Sequence, residues 1–422
     1  MRFIYSCIFY FLTPLMLLKL WLRGRKSPAY RQRIGERFGF PSKVSATPPL
    51  WVHAVSVGEC VAIAPVLKQL LALYPKLTIL VTTSTPTGAD RIGKLFAGYS
   101  QLWHQYCPYD QPGSVARFLR AHKPQGLLIV ETELWPNMLA QCHSNDIPVL
   151  LANARMSDKS ARGYAKVASL TKQMLQHLDL LVAQYDSDGE RFVQLGLEHK
   201  KLLISGSIKF DLQIAANTLP DAANLRRQIG SRAVLILGSS HNTEEQGLLE
   251  LLVQLWRQFP DLLLIIVPRH PERFTEVTEL AKKYSDRVIR RSTGQFDPSC
   301  QIYIGDTMGE LGMLYAVADL AVVGGSFVAV GGQSPLEPAS VAKGVLMGPQ
   351  QYNFSVICPQ LEAAQGMHSC SDYTELLQQL QRLLAAPELM REMGLRAEKY
   401  FLSQRGATAI VLQQIQLVLL KQ

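Results

Sequence analysis

No CxxC or CxxH pair occurs in these 422 residues, and the seven cysteines (Cys7, Cys60, Cys107, Cys142, Cys300, Cys358 and Cys370) are scattered and odd in number. That excludes a disulfide framework and a cysteine zinc site, and it makes a reducing compartment the natural home. The nine histidines lack paired spacing as well, so neither a resident metal nor another cofactor is expected. Also missing are the phosphate-loop pattern GxxxxGK[ST] and the dinucleotide fingerprint GxGxxG, which disfavours nucleotide hydrolysis and NAD binding. There is no internal repeat and no low-complexity tract. Beyond residue 40 the chain is close to neutral, which argues against nucleic acid as a partner.

What the chain does have is a charged, apolar beginning. Arg2, Lys19, Arg23, Arg25, Lys26, Arg31, Arg33 and Arg37 face the single acid Glu36, so nearly all of the net charge of +9 gathers in the first tenth of the chain. Phe3 to Leu22 is apolar except at Ser6, Thr13, Pro14 and Lys19, long enough to span a hydrocarbon core or to lie in its interface. The basic residues 23–26 behind it predict that the chain beyond them stays cytoplasmic. A cleaved signal peptide fits less well, because no small-x-small cleavage site comes after the apolar run. Tyr30, Ile34 and Phe38 recur every four residues, which suggests either a basic amphipathic helix on a membrane surface or a helix covering the domain. Residues 41–49 read as a linker.

At 422 residues and 48% hydrophobic content, two cores are expected. Apolar runs near 51–57, 78–84, 126–132, 148–154, 180–185 and 202–208 alternate with helical stretches after Val61, Gly88, Pro112, Pro136, Asp158 and Asp188. Further runs begin at 233 and fall at 262–270, 301–306, 320–326 and 344–349. Such alternation predicts an α/β chain of two Rossmann-like, doubly wound domains facing a cleft. The divisions are a membrane anchor and basic flank at 1–26, a basic helix and linker at 27–50, and a first domain at 51–208. A connector at 209–232, a second domain at 233–386 and a helix packing back across the domains at 387–422 complete the chain.

Strand ends hold the chemistry in such folds. WVHAVSVGEC (51–60) reads as a strand feeding a helix, with Ser56 and Gly58 in the turn, Glu59 just after it, and Pro65 confined to the first helical turn or so. Ser56 and Glu59 also match the S-x-x-E capping box, which would leave Glu59 a structural role only. ETELWPN (131–137) brings Glu131 and Glu133 to the next strand end. Two acids there repel unless one is protonated or paired with a cation, so a nearby Arg or Lys is expected, and Arg155 and Lys209 end later strands. In the second domain Pro268, Arg269 and His270 end a strand, and GDTMGEL (305–311) opens a helix whose amides can hold a phosphate. Two glycine pairs in 323–339 are suited to a close approach by an anion, and the carboxylate of Glu337 to ribose hydroxyls.

The motifs SVGE, PTGADR, YDQPG, ETELWPN, LANARMS, GSIKFD, VPRHPERF, GDTMGEL, GGQSPLEP and MGPQQYNF, in this order behind a basic start, resemble the 3-deoxy-D-manno-octulosonic acid (Kdo) transferases of Gram-negative lipopolysaccharide synthesis. The resemblance implies the GT-B fold and transfer of Kdo from CMP-Kdo to a lipid A precursor, lipid IVA, at the cytoplasmic face of the inner membrane. It implies Glu59 as general base, with Glu131 and Lys209 as supporting groups. CMP would meet Pro268, Arg269 and His270, then Met308, Gly309 and Glu310, then Ser334, Pro335, Leu336 and Glu337. Ser56, Gly58 and Arg155 are candidates for contact with acceptor or donor sugar. Where that family carries His-Asn before Pro-Leu-Glu, this chain has Gln333-Ser334, which puts nucleotide affinity in question. Two other readings stand beside it. A bilobal epimerase of UDP-sugars would not need the anchor, and a membrane-tethered nucleotide-sugar sensor would not need Glu59.

Overall fold

Successive residues of a strand point to opposite faces of a sheet, so a strand buried on both faces reads as an unbroken apolar run. In β1 (Leu50–His53) the side chains of Leu50 and Val52 enter one core layer and Trp51 the other. The same division recurs in β4 (Gly126–Val130), with Leu128 and Val130 on one side and Leu127 and Ile129 on the other. The remaining strands of this sheet are β2 (Ile79–Thr83), β3 (Leu102–Tyr106), β5 (Val149–Ala154), β6 (Leu180–Ala183) and β7 (Leu202–Ile204). They pair, all in parallel, in the order β3-β2-β1-β4-β5-β6-β7.

This computed structural model describes residues 1–25, 27–212, 214–294 and 296–421; Lys26, Gln213, Gln295 and Gln422 lie outside the described residues. The chain divides into one unit of Met1–Asp211 with Arg405–Gln422 and a second of Leu212–Gln404. The second holds another parallel sheet, with β8 (Val234–Ser240), β9 (Leu263–Pro268), β10 (Val288–Arg290), β11 (Ile302–Ile304), β12 (Leu320–Val323), β13 (Gly344–Met347) and β14 (Met367–Ser369). Its order is β10-β11-β9-β8-β12-β13-β14. Each unit is doubly wound, and three of the first unit's helices begin at a proline, Pro86, Pro112 and Pro136, where the missing amide costs nothing. All seven cysteines are free thiols, six of them buried.

Several expectations need correction. β3, β10 and β14 were not anticipated; all three are edge strands. The strand expected over 51–57 stops at His53, and the helix starts at Val57 rather than after Val61, because the Ser56 hydroxyl accepts from the Glu59 amide and caps it there. Pro65 consequently sits in mid-helix, where burial of its neighbours Ala64, Val66 and Leu67 outweighs the lost hydrogen bond. The basic segment is not an α-helix but two 3-10 turns, Pro28–Arg31 and Ile34–Phe38, separated by a left-handed Arg33. It packs on its own unit. Glu36 accepts from the Tyr106 amide at the end of edge strand β3, and Arg33 and Arg37 both lie over the Tyr106 ring. The 209–232 stretch contains the Ile208–Asp211 turn of the first unit and the helix Thr218–Ile229 of the second.

Residues 387–422 form two helices rather than one. Pro387–Ser403 belongs to the second unit, and Ala407–Gln414, continued by a π turn at Ile415–Leu419, belongs to the first. In the first unit Val411, Ile415 and Leu419 join the core. A Cβ on Gly126 would lie 3.0 Å from the Leu419 side chain, so a larger residue at the start of β4 would crowd this closure. Asp211 fastens the segment by accepting from the Gly406 and Thr408 amides.

The apolar N-terminal stretch is a helix, Arg2–Arg23, long and apolar enough to cross a membrane. One side is docked on the first unit: Ser6 is buried, the Gly113 amide donates to the Tyr10 hydroxyl (3.3 Å), and the Phe9 ring meets Tyr109. Farther along, the Arg31 guanidinium donates to the Trp21 carbonyl and lies over the Trp21 ring. The other side is bare, with Phe3 80% and Phe11 81% exposed.

Candidate active site

Open parallel sheets bind ligands at the carboxyl ends of the strands where the winding direction reverses. In the first unit that point lies between β1 and β4, and in the second between β8 and β12. Glu59 follows β1 and Glu131 follows β4, so the two carboxylates flank the switch point of the first sheet.

Glu59 is only 6% exposed. Its Oε2 accepts from the Val55 amide at 2.7 Å while its own amide donates to the Ser56 hydroxyl at 3.2 Å. The capping arrangement foreseen from sequence is therefore formed, with the carboxylate accepting from the Val55 amide rather than from the Ser56 amide. Capping leaves the carboxyl far from ordinary: burial pushes its pKa up to about 7, against the pull of the Ser56 and Val55 hydrogen bonds, and the negative charges of Glu131 and Glu133 add to the rise. Ser56 and Gly58 lie in this turn, the first as helix cap and the second in the first helical turn.

Glu131 sits at φ +61°, a left-handed conformation that a glutamate adopts only under constraint. The cation its neighbourhood requires is Lys209, whose Nζ lies 3.5 Å from Glu131 Oε1. Glu133 accepts from the indole of Trp135 at 2.8 Å, and burial raises its pKa. Arg155 goes elsewhere: its backbone interlocks with Thr132, and its charge favours the ionised forms of Tyr185 and Asp188. Thus Glu59, Glu131, Glu133 and Lys209 act on one another, and Arg155 meets the same turn through its backbone at Thr132.

Two residues of this region were not singled out from sequence. Asn153, buried and at φ +54°, accepts from the Ile208 amide at 3.2 Å and so fixes the turn that carries Lys209. A left-handed Asn at a strand end is its only sequence signal. His53, the last residue of β1, bonds through Nδ1 to Thr82 and meets the Trp135 ring edge-on at 5.1 Å. Burial lowers its pKa to about 4, so the ring is neutral at pH 7.

In the second unit Pro268 ends β9, and Arg269 and His270 follow it on the exposed rim. The Arg269 amide donates to Ser240 of β8, and its charge partly offsets the burial that raises the pKa of Glu337. Met308 is 66% exposed beside a left-handed Gly309. Glu310 is engaged by Arg291 (2.8 and 3.1 Å) and by the Thr307 hydroxyl, which lowers its pKa. Ser334 accepts from the Leu336 amide at the start of the short helix Leu336–Ala339, with Pro335 as its cap residue and Glu337 in its first turn.

The first glycine pair is not available to an external anion. The buried carboxylate of Glu244 accepts from the amides of Gly325, Ser326 and Phe327 and from that of His241, at 2.7 to 3.0 Å. Glu244 went unnoticed in the sequence because its partners lie some 80 residues away. Gln333, where the chain departs from the family's His-Asn, donates to His241 Nε2 at 3.1 Å, and the His241 ring meets His270 edge-on at 5.4 Å. Burial, then the charges of His270 and Arg269, lower the His241 pKa.

The family described as 3-deoxy-D-manno-octulosonic-acid transferase (kdotransferase) matches residues 32–212. A 3-deoxy-D-manno-octulosonic acid transferase of Haemophilus influenzae is 38% identical over 411 residues, 96% of either chain. The enzyme of the same description from Bordetella pertussis is 33% identical, covering 98% of this chain and 99% of its own. Among solved structures, UDP-GlcNAc 2-epimerase from Neisseria meningitidis superposes with a TM-score of 0.57 at 14% identity, covering 89% of this chain and 100% of that one. That likeness concerns the fold, which is of the GT-B kind.

Proposed function

Because the chain belongs to the 3-deoxy-D-manno-octulosonic acid transferase family, we propose that this glycosyltransferase carries Kdo from CMP-Kdo to a hydroxyl of an anionic lipid A precursor, lipid IVA, by inverting displacement. Glu59 takes the proton of the acceptor hydroxyl as that oxygen bonds to the anomeric carbon. The bond from that carbon to the CMP phosphate oxygen breaks, and its electron pair leaves with the phosphate. A base for this step needs to be within hydrogen-bond reach of the proton and to have a pKa near the working pH. The observation that carries the assignment is the buried carboxyl of Glu59, at a switch-point strand end with a pKa of about 7.

Lys209 pairs with Glu131 beside the developing positive charge of the sugar ring. In the second unit, Arg269 and the loops at Met308–Glu310 and Ser334–Glu337 bind CMP, with Pro268 and His270 shaping the rim. Arg269 supplies positive charge to the departing phosphate. Ser56, Gly58 and Arg155 line the approach of the sugars.

Transfer of labelled Kdo from CMP-Kdo to lipid IVA, followed across pH, tests this reading. A base acts when ionised, so kcat/KM falls about tenfold per unit below a break near pH 7 and is level above it. The break disappears in Glu59→Gln. A break that persists in that variant belongs to another group and removes Glu59 from the base role.

We further propose that the helix Arg2–Arg23 lies in the cytoplasmic interface of the inner membrane. A helix whose one side is held by Ser6, Phe9 and Tyr10 and whose end is held at Trp21 cannot present a full lipid-facing surface, whereas its free side can enter the acyl boundary. Changing Phe11 and Leu15 together to serine is expected to cut co-sedimentation with anionic vesicles by about tenfold or more, since each buried apolar side chain contributes roughly 1.5 to 3 kcal/mol. Unchanged binding would assign the membrane contact to another surface.

A further inference from the structure

The helix Pro136–Ser144 starts without a local cap: Trp135, its cap residue, makes no side-chain bond to it. The cap comes instead from Asp110, a fully buried carboxylate at the end of the loop after β3. Asp110 Oδ2 accepts from the Asn137 amide at 3.0 Å and Oδ1 from the Met138 amide at 2.7 Å, while the Asn137 side-chain amide donates back to the Asp110 carbonyl at 2.7 Å. Two of the orphan donors of that helix are therefore satisfied from a distance.

Tyr5 of the N-terminal helix lies near enough to this carboxylate for its charge, after burial, to raise the Tyr5 pKa. One residue on, the Ser6 hydroxyl donates to Asn137 Oδ1 at 3.1 Å. The N-terminal helix thus holds Asn137, one partner of the cap, through Ser6. Only Glu131 to Trp135 separate the end of β4 from this capped helix, and among them are Glu131 with its strained backbone and Glu133.

We infer that the N-terminal helix is a positioning element of the catalytic centre as well as an anchor: Ser6, through Asn137 and the Asp110 bonded to it, sets where the Glu131–Trp135 turn holds its carboxylates. The inference rests on the transferase reading for its consequence, and on hydrogen bonds alone for the coupling. Both carboxylates act on Glu59, so a shift of the turn reaches the reacting group. Displacements of about an ångström are enough to cost catalysis heavily.

Full-length Ser6→Ala removes the hydroxyl that donates to Asn137 and leaves a residue well suited to the helix. Hydrogen exchange read without substrate is expected to speed up severalfold in the peptide containing Asn137 and Met138, and to stay unchanged across Val57–Leu73. In the transfer assay kcat falls by about three- to tenfold, while KM for CMP-Kdo and co-sedimentation with vesicles hold. Asp110→Asn, which loses an acceptor for the two amides, shows the same pattern more strongly. Unaltered exchange over 131–140 in both variants overturns the coupling. Faster exchange with kcat intact overturns the positioning role, and so does a kcat loss that only follows lost vesicle binding. A wild-type protein that transfers no Kdo defeats the proposed function, and the exchange result still decides the coupling.

Discussion

Glu59→Gln lowers kcat for Kdo transfer by a factor of about 10² to 10⁴, the usual worth of a general base. Glutamine is the informative replacement because its amide oxygen can still accept from the Val55 amide, so the helix start at Val57 is preserved. The linkage to stability runs the opposite way from that of an ordinary salt-bridged carboxylate. Burial raises the Glu59 pKa above its unfolded value, so its contribution to stability is complete at pH values below the unfolded pKa and declines as pH rises through about 7. Glu59→Gln is therefore expected to melt no lower than the wild type at pH 8 while transferring far more slowly. CMP affinity, measured in parallel, stays unchanged, since the loops proposed to bind CMP belong to the other unit. Normal transfer by the variant would leave Glu59 a cap and nothing more.

The second large effect is expected at Lys209. Lys209→Met keeps the length of the side chain and removes the charge 3.5 Å from Glu131. Glu131 and Glu133 already raise the Glu59 pKa, and with their counter-charge gone they raise it further. Transfer at pH 7 falls by roughly 10- to 100-fold, and the acid break of the profile moves to higher pH. Glu131→Gln in the same chain takes away one of the two acids, so the double variant's break returns toward that of the wild type and the two effects are not additive. A break that stays in place in Lys209→Met would show that Lys209 does not govern the charge around Glu59.

Much of this was legible in the residues because parallel strands buried on both faces declare themselves as apolar runs. Leu127 to Val130 and Leu263 to Val267 are fully visible for that reason. The edge strands were not: β3 reads LWHQY, mixing aromatic and polar side chains, and β10 and β14 are three residues each with partly exposed positions. The positions of Glu59, Glu131 and Arg269 just past strands followed from the runs that precede them, whereas Lys209 lies on the Ile208–Asp211 turn because the strand expected over 202–208 stops at Ile204. Partners that come from far along the chain did not follow. Asp110 capping the helix at Pro136 and Glu244 filling the Gly324–Phe327 turn depend on folding, and no local spacing announces them. The glycine pair at Gly324-Gly325 was read as an anion site, and it is one, with the anion supplied by the protein. The basic residues Arg33 and Arg37 were read mainly for their charge, yet the fold spends their planar faces on Tyr106.

The measurement that tests the central claim most directly is the anomeric configuration of the Kdo product against that of the CMP-Kdo donor, read by NMR on a wild-type reaction. A hydroxyl activated by Glu59 as base attacks once, from the face opposite CMP, so the configuration inverts. Retention would mean that a protein group first takes the sugar, and Glu59 would then be a nucleophile or a bystander rather than the base.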